Sequence, residues 1–279
     1  MNYNDYSLID HAKKLFPICR SITGKGVRET LDYFESFNND LQRLKIPTGK
    51  KVFDWEVPKE WQIQDGYIEH LESGRRFSQF KESNLNIVGY SMPVNKVISL
   101  EDLLPHIHSL AEQKDLVPYV TSYYKKYWGF CMTHNEKQEL PSGEYRVFID
   151  SSFSDGFMDL SHAYIKGKSE KEVLFSSYIC HPSMANDELS GPIVLNALIN
   201  YVKNNYPSNK LSYRFVLAPE TIGTIAYLDS FYERMKANLI SGYNLSCVGD
   251  ERAFSFVKTP DENTLSDCSL RAALIGKDN

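Results

Sequence analysis

Glu172-Val-Leu-Phe-Ser-Ser-Tyr-Ile179 runs into Cys180-His-Pro-Ser-Met-Ala-Asn-Asp-Glu-Leu-Ser-Gly191, and an apolar helical pattern follows from Leu189 to Val202. The first eight residues predict a strand, the middle a loop, and the last a helix entered at Ser190-Gly191. Downstream the alternation repeats. Tyr213–Ala218 predicts a strand, Thr224–Met235 a helix, and Ile240–Val248 another strand. Strand, helix, strand, helix, strand with apolar strands is the pattern of an α/β fold with a mostly parallel sheet flanked by helices. Ligands of such sheets collect at the carboxyl ends of the strands. The informative loops are therefore those leaving Ile179, Ala218 and Val248.

Upstream, Tyr145–Asp150 and Met158–Ile165 predict two further strands of this core. The opening, Tyr6–Leu44, predicts two helices broken at Ser21-Ile-Thr-Gly-Lys-Gly26. The second begins near Val27 and carries Leu31, Phe34 and Phe37 at helical spacing. From Val52 the texture changes: Pro58, Trp61, Gly74, Pro93, Pro105 and Pro118 punctuate short aromatic-rich pieces. That punctuation predicts a small β-rich domain at 53–142 inserted into a core made of 1–52 and 143–279. Its one expected helix is Leu100–Ala111.

The 279 residues are 42% hydrophobic and 24% charged, an ordinary globular composition. The net charge of -5 has no basic stripe, which argues against a nucleic-acid surface. No basic region leads into an apolar stretch at the start, and no apolar run is long enough to span a bilayer. The five cysteines are widely spaced, without a Cys-x-x-Cys pair, so reduced thiols in the cytoplasm are expected.

The three informative loops carry groups able to bind a metal or move a proton. The first offers His181 and Asp187, the second Glu220, and the third Cys247 and Asp250. Zinc accepts imidazole nitrogen and carboxylate oxygen and acidifies a bound water, whose proton a nearby Glu can take. Each residue also has a plainer use. His181 beside a proline is also compatible with a structural loop residue. Glu220 is equally placed to cap the following helix, and Asp187 the helix from Leu189.

The run Tyr178–Gly191 resembles the metal segment of the zinc aminopeptidases related to bacterial leucyl aminopeptidase. The resemblance implies that His181 is a metal ligand and Asp187 a bridging carboxylate. Ala218-Pro-Glu-Thr-Ile-Gly223 is similar to that family's Glu-Glu-x-Gly stretch, which makes Glu220 the general base and puts Thr221 where a second ligand is usual. Ser246 or Cys247 falls where a further Asp is expected, with Asp250 a few residues late, and no His follows His181. One zinc ion is therefore expected, with Cys247, Asp250 or a residue beyond the end as third ligand. The expected substrate is a peptide or a small amide-bearing molecule; the alternative is an inactive aminopeptidase-fold scaffold or regulatory protein.

Ile18-Cys-Arg-Ser-Ile-Thr-Gly24, Asp54–Trp61, Ser83–Tyr90 and Pro118–Tyr124, taken with the His-Pro segment, resemble more narrowly the aminopeptidase-like proteins found among bacterial surface-polysaccharide biosynthesis genes. That resemblance implies an inserted domain, a following winged-helix domain, and a chain shortened at its C-terminus. Other features have plainer readings. Ser21–Gly26 lacks a preceding strand and the Walker spacing, so a helix-linking turn is expected, with Arg20 and Arg28 near a substrate carboxylate as the alternative. His106 and His108 are expected as surface or core residues. The aromatics Trp55, Trp61, Tyr119, Tyr123, Tyr124 and Trp128 are read either as core or as the lining of a cleft.

Overall fold

The computed structural model describes residues 7–276. In chain order the helices are α1 (Leu8–Leu15), α2 (Lys25–Phe37), α3 (Leu100–Leu103), α4 (His134–Gln138), α5 (Ser190–Asn205), α6 (Ile222–Asn238) and α7 (Leu265–Leu274). The strands of the larger sheet are β1 (Gln42–Pro47), β10 (Phe157–Ile165), β11 (Glu172–Tyr178), β12 (Ser212–Ala218) and β13 (Leu239–Asn244). Between β1 and β10 run β2 (Lys51–Val52), β3 (Trp55–Glu56), β4 (Glu60–His70), β5 (Arg76–Phe77), β6 (Val94–Ser99), β7 (Ile107–His108), β8 (Phe130–Cys131) and β9 (Glu144–Ser154). Two compact units result. Among the described residues, one holds 7–22, 26–57 and 158–276; the other holds 23–25 and 58–157.

In the first unit the strand order is β1-β10-β12-β11-β13. The sheet is mixed: β11 runs parallel to β12 and β13, whereas β10 is antiparallel to β12. Period-two alternation sends Phe215 and Leu217 of β12 into a core with Leu15 of α1, Val27, Leu31 and Phe34 of α2, and Ile193 and Ile199 of α5. Leu174 of β11 and Val216 of β12 face the other way, lining a cavity with Tyr227 and Leu228 of α6. Helix α2 ends at Phe37, earlier than the helix predicted to Leu44, because Asn38-Asn-Asp40 turns the chain into β1. Strand β13 is shorter than predicted: it leaves the sheet after Asn244, although the Leu245 N–H still donates to the Ser176 carbonyl at 2.8 Å.

The second unit is built on an antiparallel sheet of order β5-β4-β9-β6. Tyr145–Asp150, expected in the larger sheet, is the centre of β9 here. Tyr145, Val147 and Ile149 are buried and alternate with more exposed residues, the pattern of a half-buried antiparallel strand. The unit therefore divides from the first at 57/58 and 157/158, where the sequence placed the divides at 52/53 and 142/143. The helix expected over Leu100–Ala111 stops at Leu103, since Pro105 lacks the N–H an α-helix needs and restricts the residue before it.

The histidines of that segment have structural partners. His106 stacks on Trp128 with ring centroids 3.6 Å apart, and His108 Nε2 is 2.9 Å from the Tyr127 hydroxyl. Trp61 is buried against Tyr90 and donates to the Ser91 carbonyl, whereas Tyr124 and Trp55 are exposed. Ser21–Gly24 leads into α2, and Lys25 and Gly26 are already its first residues. A side chain at Gly26 would sit 1.9 Å from the Cys19 carbonyl oxygen, so only glycine fits.

Candidate functional site

Strands β11, β12 and β13 end side by side, and each leaves through a loop with one residue in the left-handed region: Ser183 (φ 44), Thr221 (φ 58) and Cys247 (φ 53). Thr221 is the most demanding, because a β-branched residue rarely has positive φ. Its ψ is -77, and the Ile222 N–H donates to the Glu220 carbonyl at 2.7 Å, which together make a classic γ-turn, a rare and strained conformation. Strain held at a strand end, one residue after a candidate catalytic carboxylate, is where functional sites concentrate it.

The loop after β11 is held by a carboxylate that the sequence reading passed over. Glu188 is buried, and its Oε2 accepts the backbone N–H of Cys180 at 2.6 Å, the backbone N–H of His181, and His181 Nδ1 at 2.9 Å. Its Oε1 accepts Arg20 Nε at 2.7 Å. Arg20 also donates to the carbonyls of His181 and Leu15, so it serves the loop from within and is not placed to meet a substrate carboxylate. The signal for Glu188 was its position: a third charged or polar residue in Asn186-Asp187-Glu188, just before an apolar helix, is buried only with partners.

A carboxylate only accepts, so His181 Nδ1 carries a proton and, in the neutral ring, Nε2 presents a lone pair. That nitrogen lies 3.4 Å from Glu220 Oε2. Burial pulls the His181 pKa down, but the hydrogen bond and charge of Glu188, with Asp187 and Glu220 adding to it, raise it above the ordinary value. Cys180 Sγ accepts the Glu220 N–H at 3.2 Å, and complete burial pushes its thiol pKa well up. Cys180, His181 and Glu188 have donor atoms within 4.8 Å of one another. They do not form a metal site by themselves: Glu188 already accepts four donors, and Cys180 stays a protonated thiol. They are the brace that fixes the imidazole.

Asp187 lies in one π-helical turn, Ala185–Leu189, and departs from helical geometry within it (φ -97, ψ 90). It does not cap α5, whose start has no side-chain cap; its Oδ1 instead accepts the Tyr178 hydroxyl, which also pairs with Ser246 Oγ at 2.6 Å. The Tyr178 ring, whose hydroxyl meets Asp187, lies edge-on to the His181 ring with centroids 5.2 Å apart. Glu220 does not cap α6 either, since that helix has no side-chain cap, and its side chain is 55% exposed. Gly191 lets α5 begin close to the third loop, because a side chain there would sit 2.3 Å from the Leu245 carbonyl oxygen. The third loop is stitched to the first by Val248 N–H on Ser190 Oγ (3.0 Å) and Gly249 N–H on Asn186 Oδ1 (2.9 Å). Asp250 turns away into a bidentate pair with Arg252, while Cys247 is exposed beside Ser246.

His181 Nε2 and the Asp187 carboxylate match the donors zinc accepts. A ligand histidine that gives its other N–H to a carboxylate is the usual arrangement at such metals. On donor chemistry these two residues suit a zinc ion.

A family model described as a domain of unknown function, DUF4910, matches residues 8–278. A Clostridium acetobutylicum protein named for polysaccharide biosynthesis, with an aminopeptidase-like domain, is 44% identical over 256 residues, covering 91% of this chain and 57% of its own length. The crystal structure of a protein named as a peptidase from Clostridium acetobutylicum superposes with a TM-score of 0.92 at 40% identity, over 98% of this chain and 63% of that one. A zinc aminopeptidase from Bacillus subtilis shares the fold at a TM-score of 0.65 and 14% identity, over 98% of this chain and 78% of that one. The chain thus spans less than two thirds of the length of the Clostridium proteins it matches. Among the described residues no helix is long and apolar enough to cross a membrane.

Proposed function

The chain belongs to the DUF4910 family, and we propose that within an aminopeptidase-like fold it forms a zinc-dependent site that hydrolyses an amide bond next to a free amino group. The observation that carries this reading is the His181 ring, fixed through Nδ1 by Glu188 while Nε2 faces Glu220. In this reading His181 and Asp187 hold one zinc ion, and Cys247 or a residue of a longer chain completes the set. Bound zinc would supply a Lewis acid and a water acidified to a pKa of about 7. Glu220 would serve as the general base, accepting a proton from water and returning it to the leaving amine. Its exposure suits a group that meets a substrate arriving from solvent. The substrate is a peptide or a small amide-bearing molecule, and the relative's name suggests a link to surface polysaccharide synthesis. Free thiols at all five cysteines suit the cytoplasm.

A second reading, a catalytically inactive scaffold, is favoured by one observation: Asp250, a candidate third ligand, is engaged by Arg252. Metal content separates the two. Protein purified without added zinc is compared with His181→Ala and Asp187→Ala. About one zinc per chain, lost in both variants, supports the site; hydrolysis of amino-acid amides that disappears in Glu220→Ala then supports catalysis. A wild-type chain that binds no zinc refutes the hydrolase reading and leaves the scaffold.

A further inference from the structure

We infer that Tyr178 is a positioning residue whose hydroxyl sets the Asp187 carboxylate in place as a metal ligand and ties it to the loop after β13; this rests on the zinc reading above. Tyr178 is the last residue of β11, with its ring in the wall of a cavity of about 270 Å³ shared with Leu174, Val216 and Leu228. An aromatic ring held in apolar surroundings keeps its one polar atom paired. Here the hydroxyl donates to Asp187 Oδ1 and accepts from Ser246 Oγ, giving a chain Ser246 to Tyr178 to Asp187.

Asp187 depends on that chain because little else orients it. Its backbone is non-helical inside a π-helical turn, so helix geometry does not fix its side chain. Among the described residues only Tyr178 donates to its carboxylate, and only to Oδ1, which leaves Oδ2 for a cation. Ser246 is itself placed firmly: the neighbouring Leu245 N–H bonds to Ser176, the Leu245 carbonyl accepts Ser177 Oγ at 2.8 Å, and Val248 and Gly249 are laced to Ser190 and Asn186. The two carboxylates of the first loop thus have separate tasks. Glu188 orients the imidazole, and Asp187, oriented by Tyr178, faces the ion. Partners of this kind behind metal ligands typically contribute 10–100-fold in affinity.

The test is zinc affinity, read by competition with a chromophoric chelator, for wild type, Tyr178→Phe and Ser246→Ala, with the visible spectrum of the cobalt(II) form as a second readout. Tyr178→Phe keeps the ring in the cavity wall and removes only the hydroxyl. It is expected to weaken zinc binding about 10–100-fold and to shift the cobalt bands; Ser246→Ala, which leaves Tyr178 whole, is expected to weaken it less than about tenfold. Melting is followed in parallel, since a merely structural hydroxyl would lower the midpoint without moving the cobalt bands. If wild type binds zinc, loses it in His181→Ala and Asp187→Ala, and Tyr178→Phe binds as tightly or more tightly, the inference is overturned and the zinc reading stands. If wild type binds no zinc, both fall.

Discussion

Strand β11 has a buried carboxylate at its first residue, Glu172, and another shortly beyond its last, Glu188; each meets a buried arginine from elsewhere in the unit. The two pairs differ in how they are finished. At the amino end Arg214 grips both oxygens of Glu172 at 3.1 and 3.0 Å, and its remaining reach goes to the Tyr227 hydroxyl at 2.7 Å. A second, half-exposed arginine, Arg234, approaches the same carboxylate at 3.9 Å from the solvent side, so every partner of Glu172 there is a cation of the fold. At the carboxyl end Arg20 takes one oxygen of Glu188, and its Nη2 is buried without a partner. The other oxygen is given to the His181 backbone and ring. One pair spends its whole hydrogen-bonding capacity on the fold, and the other diverts part of it to hold a ring nitrogen in a fixed state. The same residue types at two ends of one strand thus make one ion pair that serves the fold alone and one that also braces the ring of the candidate site.

Glutamine in place of each glutamate sharpens that contrast and carries the largest expected effect. Glu172→Gln strands a buried guanidinium and is expected to lower stability by about 3–5 kcal/mol, the usual cost of removing one partner of a buried pair, with zinc affinity unchanged. Glu188→Gln is expected to destabilise as well and also to weaken zinc about 10–100-fold, because the neutral amide has a single, weaker accepting oxygen and cannot serve both Arg20 and the imidazole N–H. Denaturant midpoints and chelator competition on both variants check this. Equal zinc affinity in the two would erase the distinction between the ends.

A smaller effect concerns pH. At the amino end His162 Nδ1 is 2.8 Å from the Tyr227 hydroxyl. That hydroxyl accepts from Arg214, so it donates to His162. Burial, then the charges of Arg214 and Arg234, push the His162 pKa down to about 4. Unfolded, the same ring titrates near ~6.5. Between those values the unfolded chain binds a proton that the folded chain refuses, so stability falls as pH drops from about 6.5 towards 4. His181, raised by its carboxylates, is held in the opposite sense. His162→Gln keeps an acceptor for Tyr227 without the titration. Its melting midpoint is expected to gain on the wild type steadily below pH 6.5, approximately the unfolded value; parallel curves would sink the assignment.

Period and punctuation made the α/β order of β11, α5, β12, α6 and β13 legible, because apolar strands and helices in alternation leave few other solutions. They could not show which sheet Tyr145–Asp150 joins, since a strand's own residues record its faces but not its neighbours. His181, Asp187 and Glu220 were legible as strand-end groups, and the fold sets them around the ends of adjacent strands. Arg20, Tyr178 and Glu188 were not legible in these roles. Their importance arises from contacts across as many as 168 residues of sequence, and nothing local announces a buried arginine that braces a loop. Thr221 was noticed only as a departure from a motif, whereas its γ-turn is visible only in the backbone.

The smallest expected effect tests the third loop against the first. Asp187 and Asp250 are both loop aspartates after strands of the same sheet, but their partners differ in kind. Asp187 is met by a neutral hydroxyl, which leaves its charge available to a cation. Asp250 is met by the guanidinium of Arg252 on both oxygens at 2.9 Å, which holds its pKa down to about 2 and answers its charge locally. A carboxylate already neutralised by arginine is a poor competitor for zinc, and an exposed pair two residues apart adds little to the fold. Asp250→Ala is therefore expected to leave both zinc content and the melting midpoint unchanged, while Cys247→Ser lowers zinc affinity if the thiol completes the site in this chain. Metal analysis of the two variants beside wild type decides it. Loss of zinc in Asp250→Ala would mean that Arg252 releases the carboxylate when the ion arrives, and would move the third ligand from Cys247 to Asp250.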